Sequence, residues 1–355
     1  MNGASFTLFV ARAQSSAFPF RDACYSPRVS NRKLYSSWRN LLPILLASAA
    51  VGEMAGAVPY PGQRVQPSAQ QFEELPLVRS KQNHLLVQAY INDKPAWLCV
   101  DSGAPISAID LHRRSHFRLT ETSADSQLPT RLRINGAFDN VAIARSLQLG
   151  GLNLVDEPVV VVDLEGSSRA ASLMHEPAID GILGADILFP TKAVLDCERQ
   201  VLILQMDNEA GGRAPGVNFR GFHGLPMHLS ESFNLYVDGS INGTPARLMV
   251  DTGAFATILH HAFVRQMHIP TRTTQINSAA VNLKQRGVRV AKIRRISLGK
   301  INIVGEDVGV IDLEGLIHNG LLQSSPPVVG LLGAETLREH HGIIDFGTRT
   351  LYLKK

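Results

Sequence analysis

The chain has 355 residues, 45% of them hydrophobic and 19% charged, which is enough apolar material for two packed domains and excludes general disorder. Its net charge of +4 sits entirely in the first 57 residues. Arg12, Arg21, Arg28, Arg32, Lys33 and Arg39 outweigh Asp22 and Glu53 there, and the neutral remainder has no electrostatic reason to seek nucleic acid.

Residues 1–57 read as a leader. "WRN" gives a basic flank, "LLPILLASAAV" an apolar run, and "GEMAGA" ends on the small residues Ala55 and Ala57, the layout of a secretory signal. The run is short for a bilayer span, so no stable span is expected once the leader is removed. Export to a periplasm or to the outside is the first expectation. The Arg- and Ser-rich, acid-poor stretch before Trp38 also suits an organelle transit peptide, and an uncleaved leader would tether the protein to a membrane.

After a linker at 58–72, "LLVQAYI" and "WLCV" read as strands joined by the turn signal "NDKP". The second strand runs straight into Asp101. "SAIDLHRRSHFRL" follows as a short helix, then "EPVVVVDL" as a strand, "GILGADIL", and "AVLDCERQVLIL". A Gly/Pro-rich stretch at 207–222 closes this unit, 73–206. Residues 223–355 then say nearly the same thing again. "LPLVRSKQNHLLVQAYINDKPAWLCVDSGA" from Leu75 matches "LPMHLSESFNLYVDGSINGTPARLMVDTGA" from Leu225. "VVDLEG" matches "VIDLEG", "GILGADIL" matches "GLLGAETL", and "AVLDCERQVLIL" matches "GIIDFGTRTLYL". A period this long is two copies of a domain and no solenoid. Short strands with one brief helix per copy predict two compact, mainly β lobes.

A single Asp-Ser-Gly is an ordinary polar turn. Two copies of strand–Asp–Ser/Thr–Gly–Ala, each followed by apolar–apolar–Gly–Ala–acid, are more than that. Asp101-Ser102-Gly103-Ala104 and Asp251-Thr252-Gly253-Ala254, with Ile182-Leu183-Gly184 and Leu331-Leu332-Gly333 downstream, resemble the aspartic peptidases. The Ala after each Gly and the Gly-Ala-acid pattern point to their retropepsin-like branch, here with both halves fused in one chain. The resemblance covers residues 73–355.

What it implies is a monomer of two lobes packed about a pseudo-two-fold axis, with Asp101 and Asp251 meeting at the centre and sharing one proton to activate water against a peptide bond. Ser102 and Thr252 would hold the two turns in register, Gly103 and Gly253 would keep side chains out of the crowded centre, and the Ile182-Leu183 and Leu331-Leu332 pairs would pack beneath the carboxyls. Gly184 and Gly333 would permit close backbone approach. The implied partner is an extended polypeptide, and no cofactor or metal is called for. Candidate flaps are "LRINGAFDNVAIA" and "VNLKQRGVRVAKI", neither Gly-rich nor carrying a Tyr, a departure from the family pattern. A catalytically silent module that holds a peptide or partner in the same cleft is the rival reading.

Other signals are weak. Cys24 would leave with the leader, and Cys99 and Cys197, without C-x-x-C spacing, read as free buried thiols. His112 and His116 stand at helical spacing, but no H-E-x-x-H accompanies them, and they read with His260-His261 and His340-His341 as surface histidines, each adjacent pair pointing apart.

Overall fold

A computed structural model describes residues 7–12, 44–46, 72–122, 140–206, 214 and 216–355, with gaps at 166–167, 169–170, 173, 231–232, 275–276, 281–282, 286–287, 315–316, 318–321, 323 and 325. The expected cleavage site at Ala57, most of the 58–72 linker, the part of the first flap candidate before Asn140 and residues 207–213 of the second linker lie outside the described residues.

The protein is mainly β and consists of two pseudo-symmetric lobes. In the first, strands Leu85–Ile91 and Lys94–Val100 pair antiparallel through Asn92 and Asp93, both with positive φ (48° and 65°). In the second, Leu235–Ile241 and Thr244–Val250 do the same through Asn242 (φ 51°) and Gly243 (φ 89°). Two successive left-handed residues suit the right-handed twist of a hairpin, which is why Asn, Asp and Gly occupy these positions. A longer hairpin follows in each lobe, Val141–Leu149 with Leu152–Val162 and Arg289–Leu298 with Ile301–Ile311.

Two crossings then thread each lobe. Gly181–Leu183 runs parallel to Lys94–Val100 and antiparallel to Ala108–Asp110, which in turn runs parallel to Leu152–Val162. Val328–Leu332 and Ile258–His260 repeat the pattern against Thr244–Val250 and Ile301–Ile311. Sandwiched strands of this kind must be apolar on both faces, and Gly181–Leu183, Ala108–Asp110 and Ile258–His260 are buried throughout.

The expected helix after each Asp turn is a single 3-10 turn, Leu111–Arg113, in the first lobe and a true helix, His261–Gln266, in the second. Each lobe also has a short helix opened by its Gly-Ala-acid motif, Ala185–Leu188 and Ala334–Glu339.

The lobes are joined by a continuous six-strand run in the order His223–Pro226, Thr350–Leu353, Ile343–Asp345, Val194–Asp196, Val201–Gln205 and Phe72–Arg79. At its middle Leu195 pairs with Ile344, its own counterpart 149 residues on, the self-matching contact that a two-fold axis demands. Below this run Phe219, from the stretch between the lobes, stacks on Tyr352 with ring centroids 4.3 Å apart. Cys99 and Cys197 are both free and buried, as expected.

Thr7–Arg12 pairs with Ile44–Leu46 and with Asn277–Ala280, which forms a hairpin with Leu283–Gln285. That hairpin includes the start of the second flap candidate. Of the first candidate, Val141–Ala144 belongs to the long strand Val141–Leu149.

Candidate functional site

Both Asp turns leave their strands at the same point and are tied to the crossing strand behind them. The Asp101 N–H donates to the Leu183 carbonyl and the Asp251 N–H to the Leu332 carbonyl, each at 3.0 Å. The Ala185 and Ala334 N–H groups return the tie at 2.8 Å, to the carbonyls of Ala104 and Ala254. Ile182, Leu183, Leu331 and Leu332 are all buried beside the Asp-bearing strands. A Cβ on Gly184 would lie 2.6 Å from the backbone of Ile106, and one on Gly333 would collide with the backbone of Ala256, so both glycines serve close chain approach.

Across the axis, four hydrogen bonds lock the turns together. The Ser102 N–H donates to Thr252 Oγ1 at 3.0 Å, and the Thr252 N–H to Ser102 Oγ at 3.1 Å. Each hydroxyl then donates to the opposite strand, Ser102 Oγ to the Val250 carbonyl at 2.8 Å and Thr252 Oγ1 to the Val100 carbonyl at 2.7 Å. Every polar atom of these buried hydroxyls is thereby satisfied, and the register between lobes is fixed.

Within this frame the carboxyls of Asp101 and Asp251 are brought together at the axis, at 0% and 1% exposure, each against the turn glycine of the other lobe. Each Oδ1 faces its own turn. Asp101 Oδ1 accepts the Gly103 N–H at 2.8 Å, while Asp251 Oδ1 accepts those of Gly253 and Ala254 at 2.9 and 3.0 Å. Each Oδ2 is buried with no donor from its own turn. Two carboxylates cannot both be charged at this range, and one proton held between them supplies what the Oδ2 atoms lack. Burial first, and the facing Asp101 second, push Asp251 well above the ordinary carboxylate range. Burial also raises Asp101, with the turn N–H groups pulling the other way. No room exists for a side chain here: a Cβ on Gly103 would lie 2.8 Å from the Asp251 carboxyl, and one on Gly253 closer still to that of Asp101.

Four further acids escaped the sequence reading. Glu157 and Asp186 are buried together in the first lobe, and Glu306 and Glu335 occupy the matching positions in the second. Burial and the nearby Asp186 push Glu157 up to about 8. Burial and Glu306 push Glu335 up to about 7. Asp186 accepts the Ser107 N–H and hydroxyl at 2.9 and 2.7 Å, and burial still holds it up at about 6. Asp186 and Glu335 are the acids of the Gly-Ala-acid motif, so the signal was present in the repeat without a role attached.

The histidines require a correction. His112 and His116 are exposed as expected, and His340 and His341 are partly exposed, but His260 is buried at 7%. Its ring lies edge-on to His261, centroids 4.9 Å apart, so this pair does not point apart. Among the described residues, two groups have ligand-like proximity, Asp110 with His112 and Asp163, and His260 and His261 with Asp312. The buried member of each also holds backbone: Asp110 Oδ1 accepts the Leu164 N–H at 3.1 Å, and His260 Nδ1 accepts the Leu313 N–H at 3.0 Å. A His that accepts at Nδ1 carries its proton on Nε2 and has no free lone pair for a metal. These groups are latches that tie the end of one strand to the turn after another.

A family model described as "Aspartyl protease" matches residues 87–187 and again residues 237–336, one match per lobe. No curated protein sequence matches the chain. Among solved structures, the crystal structure of Basic 7S globulin from soybean aligns over 80% of this chain and 95% of its own, with 12% identity and a TM-score of 0.41. Among the described residues, no helix is long and apolar enough to cross a membrane.

Proposed function

The chain belongs to the aspartyl protease family, and from that premise we propose that it is a single-chain aspartic endopeptidase whose reacting groups are Asp101 and Asp251. The observation that carries this reading is the pair of buried carboxyls, each oriented through Oδ1 by its own turn and left facing the other through an Oδ2 without a backbone donor. In such a pair the ionised carboxyl takes a proton from a water molecule while the protonated one donates to the scissile carbonyl. Attack forms a neutral tetrahedral diol, and return of the proton to the departing nitrogen breaks the C–N bond. The pseudo-symmetry allows either Asp to serve as base.

The substrate in this reading is an extended polypeptide whose backbone pairs with cleft strands while alternate side chains enter the apolar interior. The working unit is a monomer, with lobes at 73–206 and 223–355, and the leader exports it.

Incubation with a denatured protein library, with cut sites read by mass spectrometry, tests the activity. Cleavage is expected from the native sequence. Asp101→Asn and Asp251→Asn should each lower turnover by about a hundredfold or more while the protein stays folded. Cleavage retained by either variant would remove that residue from the mechanism. Peptide binding without any cleavage by the native sequence would make the protein a silent binding module.

A further inference from the structure

The turn Ser80–His84 of the first lobe lies against the second Asp turn. Asn83 Nδ2 donates to the Phe255 carbonyl at 3.4 Å, and the His84 ring faces the Gly253 carbonyl. The turn itself is rigidly built. The Ser80 N–H donates to the His84 carbonyl at 2.9 Å, the His84 N–H to Ser80 Oγ at 3.1 Å, and Arg79 reaches Asn83 Oδ1 at 3.0 Å. His84 is 0% exposed, and neither ring nitrogen meets a hydrogen-bond partner. A buried imidazole with nothing to do would cost free energy.

The Gly253 carbonyl belongs to the same peptide unit as the Ala254 N–H, and that N–H is one of the two that orient Asp251 Oδ1. Resting on the reading of Asp251 as a reacting group, we propose that His84 is a positioning residue for Asp251, donating a ring N–H to the Gly253 carbonyl and so fixing the peptide that aims the carboxyl. A donor on a peptide carbonyl both orients the plane and strengthens the opposite N–H as a donor. Hydrogen bonds of this kind are often long without substrate and tighten when substrate closes the site. Burial keeps the imidazole neutral, its pKa lowered to about 4, so it retains a nitrogen-bound proton to donate across the range in which the dyad works.

The repeat supplies the control. Asn234 is the counterpart of His84, also 0% exposed, on a turn with the same Ser230 bonds at 2.9 and 3.1 Å. An amide side chain is thus tolerated, fully buried, at this place in the fold. His84→Leu keeps the bulk and removes the donor. Its kcat should fall about tenfold with KM within a factor of about two, while His84→Asn or His84→Gln restores kcat to within about threefold of the native enzyme. Asn places its N–H₂ near Nδ1 and Gln near Nε2, so the better rescue identifies the donating nitrogen. A folded His84→Leu protein with native kcat overturns the proposal, and so does failure of both amides in folded protein. If His84→Leu does not fold, the Asn and Gln variants decide alone.

A native chain that cleaves nothing would fail the peptidase reading separately. In that event the proposal is read from the carboxyl ¹³C resonance of Asp251. The resonance should titrate differently in His84→Leu than in the native protein, and an unchanged titration would overturn the positioning role.

Discussion

Compared position by position, the two lobes are alike where they face each other and unlike behind. Along the axis the match is close: Ser102 against Thr252, Gly103 against Gly253, Leu195 against Ile344, with hydrogen bonds differing by about 0.1 Å between lobes. Behind the turns the same task is solved with different side chains. Asp110 and His260 both receive a backbone N–H from the turn after the long strand. Ser107 donates to the carboxylate of Asp186, whereas Thr257 bonds the hydroxyl of Thr336 at 2.6 Å, yet both accept the N–H of the motif glycine, at 3.0 and 3.2 Å. Where the first lobe has Trp97, the second has Arg247 bound to Asp238 at 2.6 Å. The lesson is that the symmetry of the site constrains geometry at the axis, while the supporting layers need only supply a donor, an acceptor or bulk.

The likeness at the axis is broken most directly at the glycines. Gly103→Ala and Gly253→Ala each drive a methyl group into the opposing carboxyl, and the clash is closer for Gly253. Both variants should lose most activity, Gly253→Ala more completely. Both should also be destabilised by about 1–3 kcal/mol from overpacking. Activity assays beside urea unfolding measure the two effects. Equal, mild losses would mean that the turns can spread without cost to the dyad, against the close packing described above.

The axis was also what the sequence made legible. Asp, Ser/Thr, Gly and Ala at matched spacing can be read because each is demanded by one local constraint and appears twice. The strands around them could be read from runs such as "LLVQAYI" and the turn pairs Asn92-Asp93 and Asn242-Gly243. His84 and Glu157 were invisible because their roles arise only when distant segments meet: His84 stands 169 positions before the Gly253 it faces, and Glu157 stands 29 before Asp186. The difference between a 3-10 turn at Leu111–Arg113 and a helix at His261–Gln266 was illegible for another reason. Both segments carry similar helical patterning, and the outcome is settled by tertiary context.

The buried acids offer a smaller effect that separates the lobes by pH. Glu157 has a folded pKa of about 8 against an ordinary 4.5, so its stabilising contribution is complete below about pH 4.5 and is lost as pH rises through 8. Glu335, raised to about 7, behaves the same way over a narrower window. The protein should therefore be more stable in mild acid than at pH 8. Glu157→Gln should match the native protein near pH 4 and exceed it at pH 8 by a few kcal/mol, on the order set by about 1.4 kcal/mol per pKa unit. Glu335→Gln should gain less. Thermal unfolding across this range checks both, and a Glu157→Gln protein that is no more stable than the native one at pH 8 would show that Glu157 is accommodated as a carboxylate.

The smallest expected effect lies beside the dyad itself, where both lobes omit the same group. Ala104 and Ala254 follow the turn glycines, and both are completely buried. The Ala254 N–H already reaches the Asp251 carboxyl at 3.0 Å, so a hydroxyl on this residue would stand within reach of the same group. A donor to the charged form lowers a carboxyl pKa, and neither lobe provides this one. With burial raising both aspartates, and Asp101 raising Asp251 further, the dyad should lose its first proton in mildly rather than strongly acidic solution, giving a bell-shaped profile whose limbs belong to the pair. The combined Ala104→Ser and Ala254→Ser variant should move the acid limb to lower pH. A hydrogen bond to a charged group is worth about 1.5–3 kcal/mol and a pKa unit about 1.4 kcal/mol. Imperfect geometry in so tight a site reduces the gain to roughly half to one unit. The single variants sharpen the comparison further: if the carboxyls are equivalent, Ala104→Ser and Ala254→Ser should shift the limb equally. A larger shift from one would mark the Asp in that lobe as the carboxyl that is ionised first. An acid limb that stays in place, or rises, in the double variant would mean that burial and repulsion alone set the working pH.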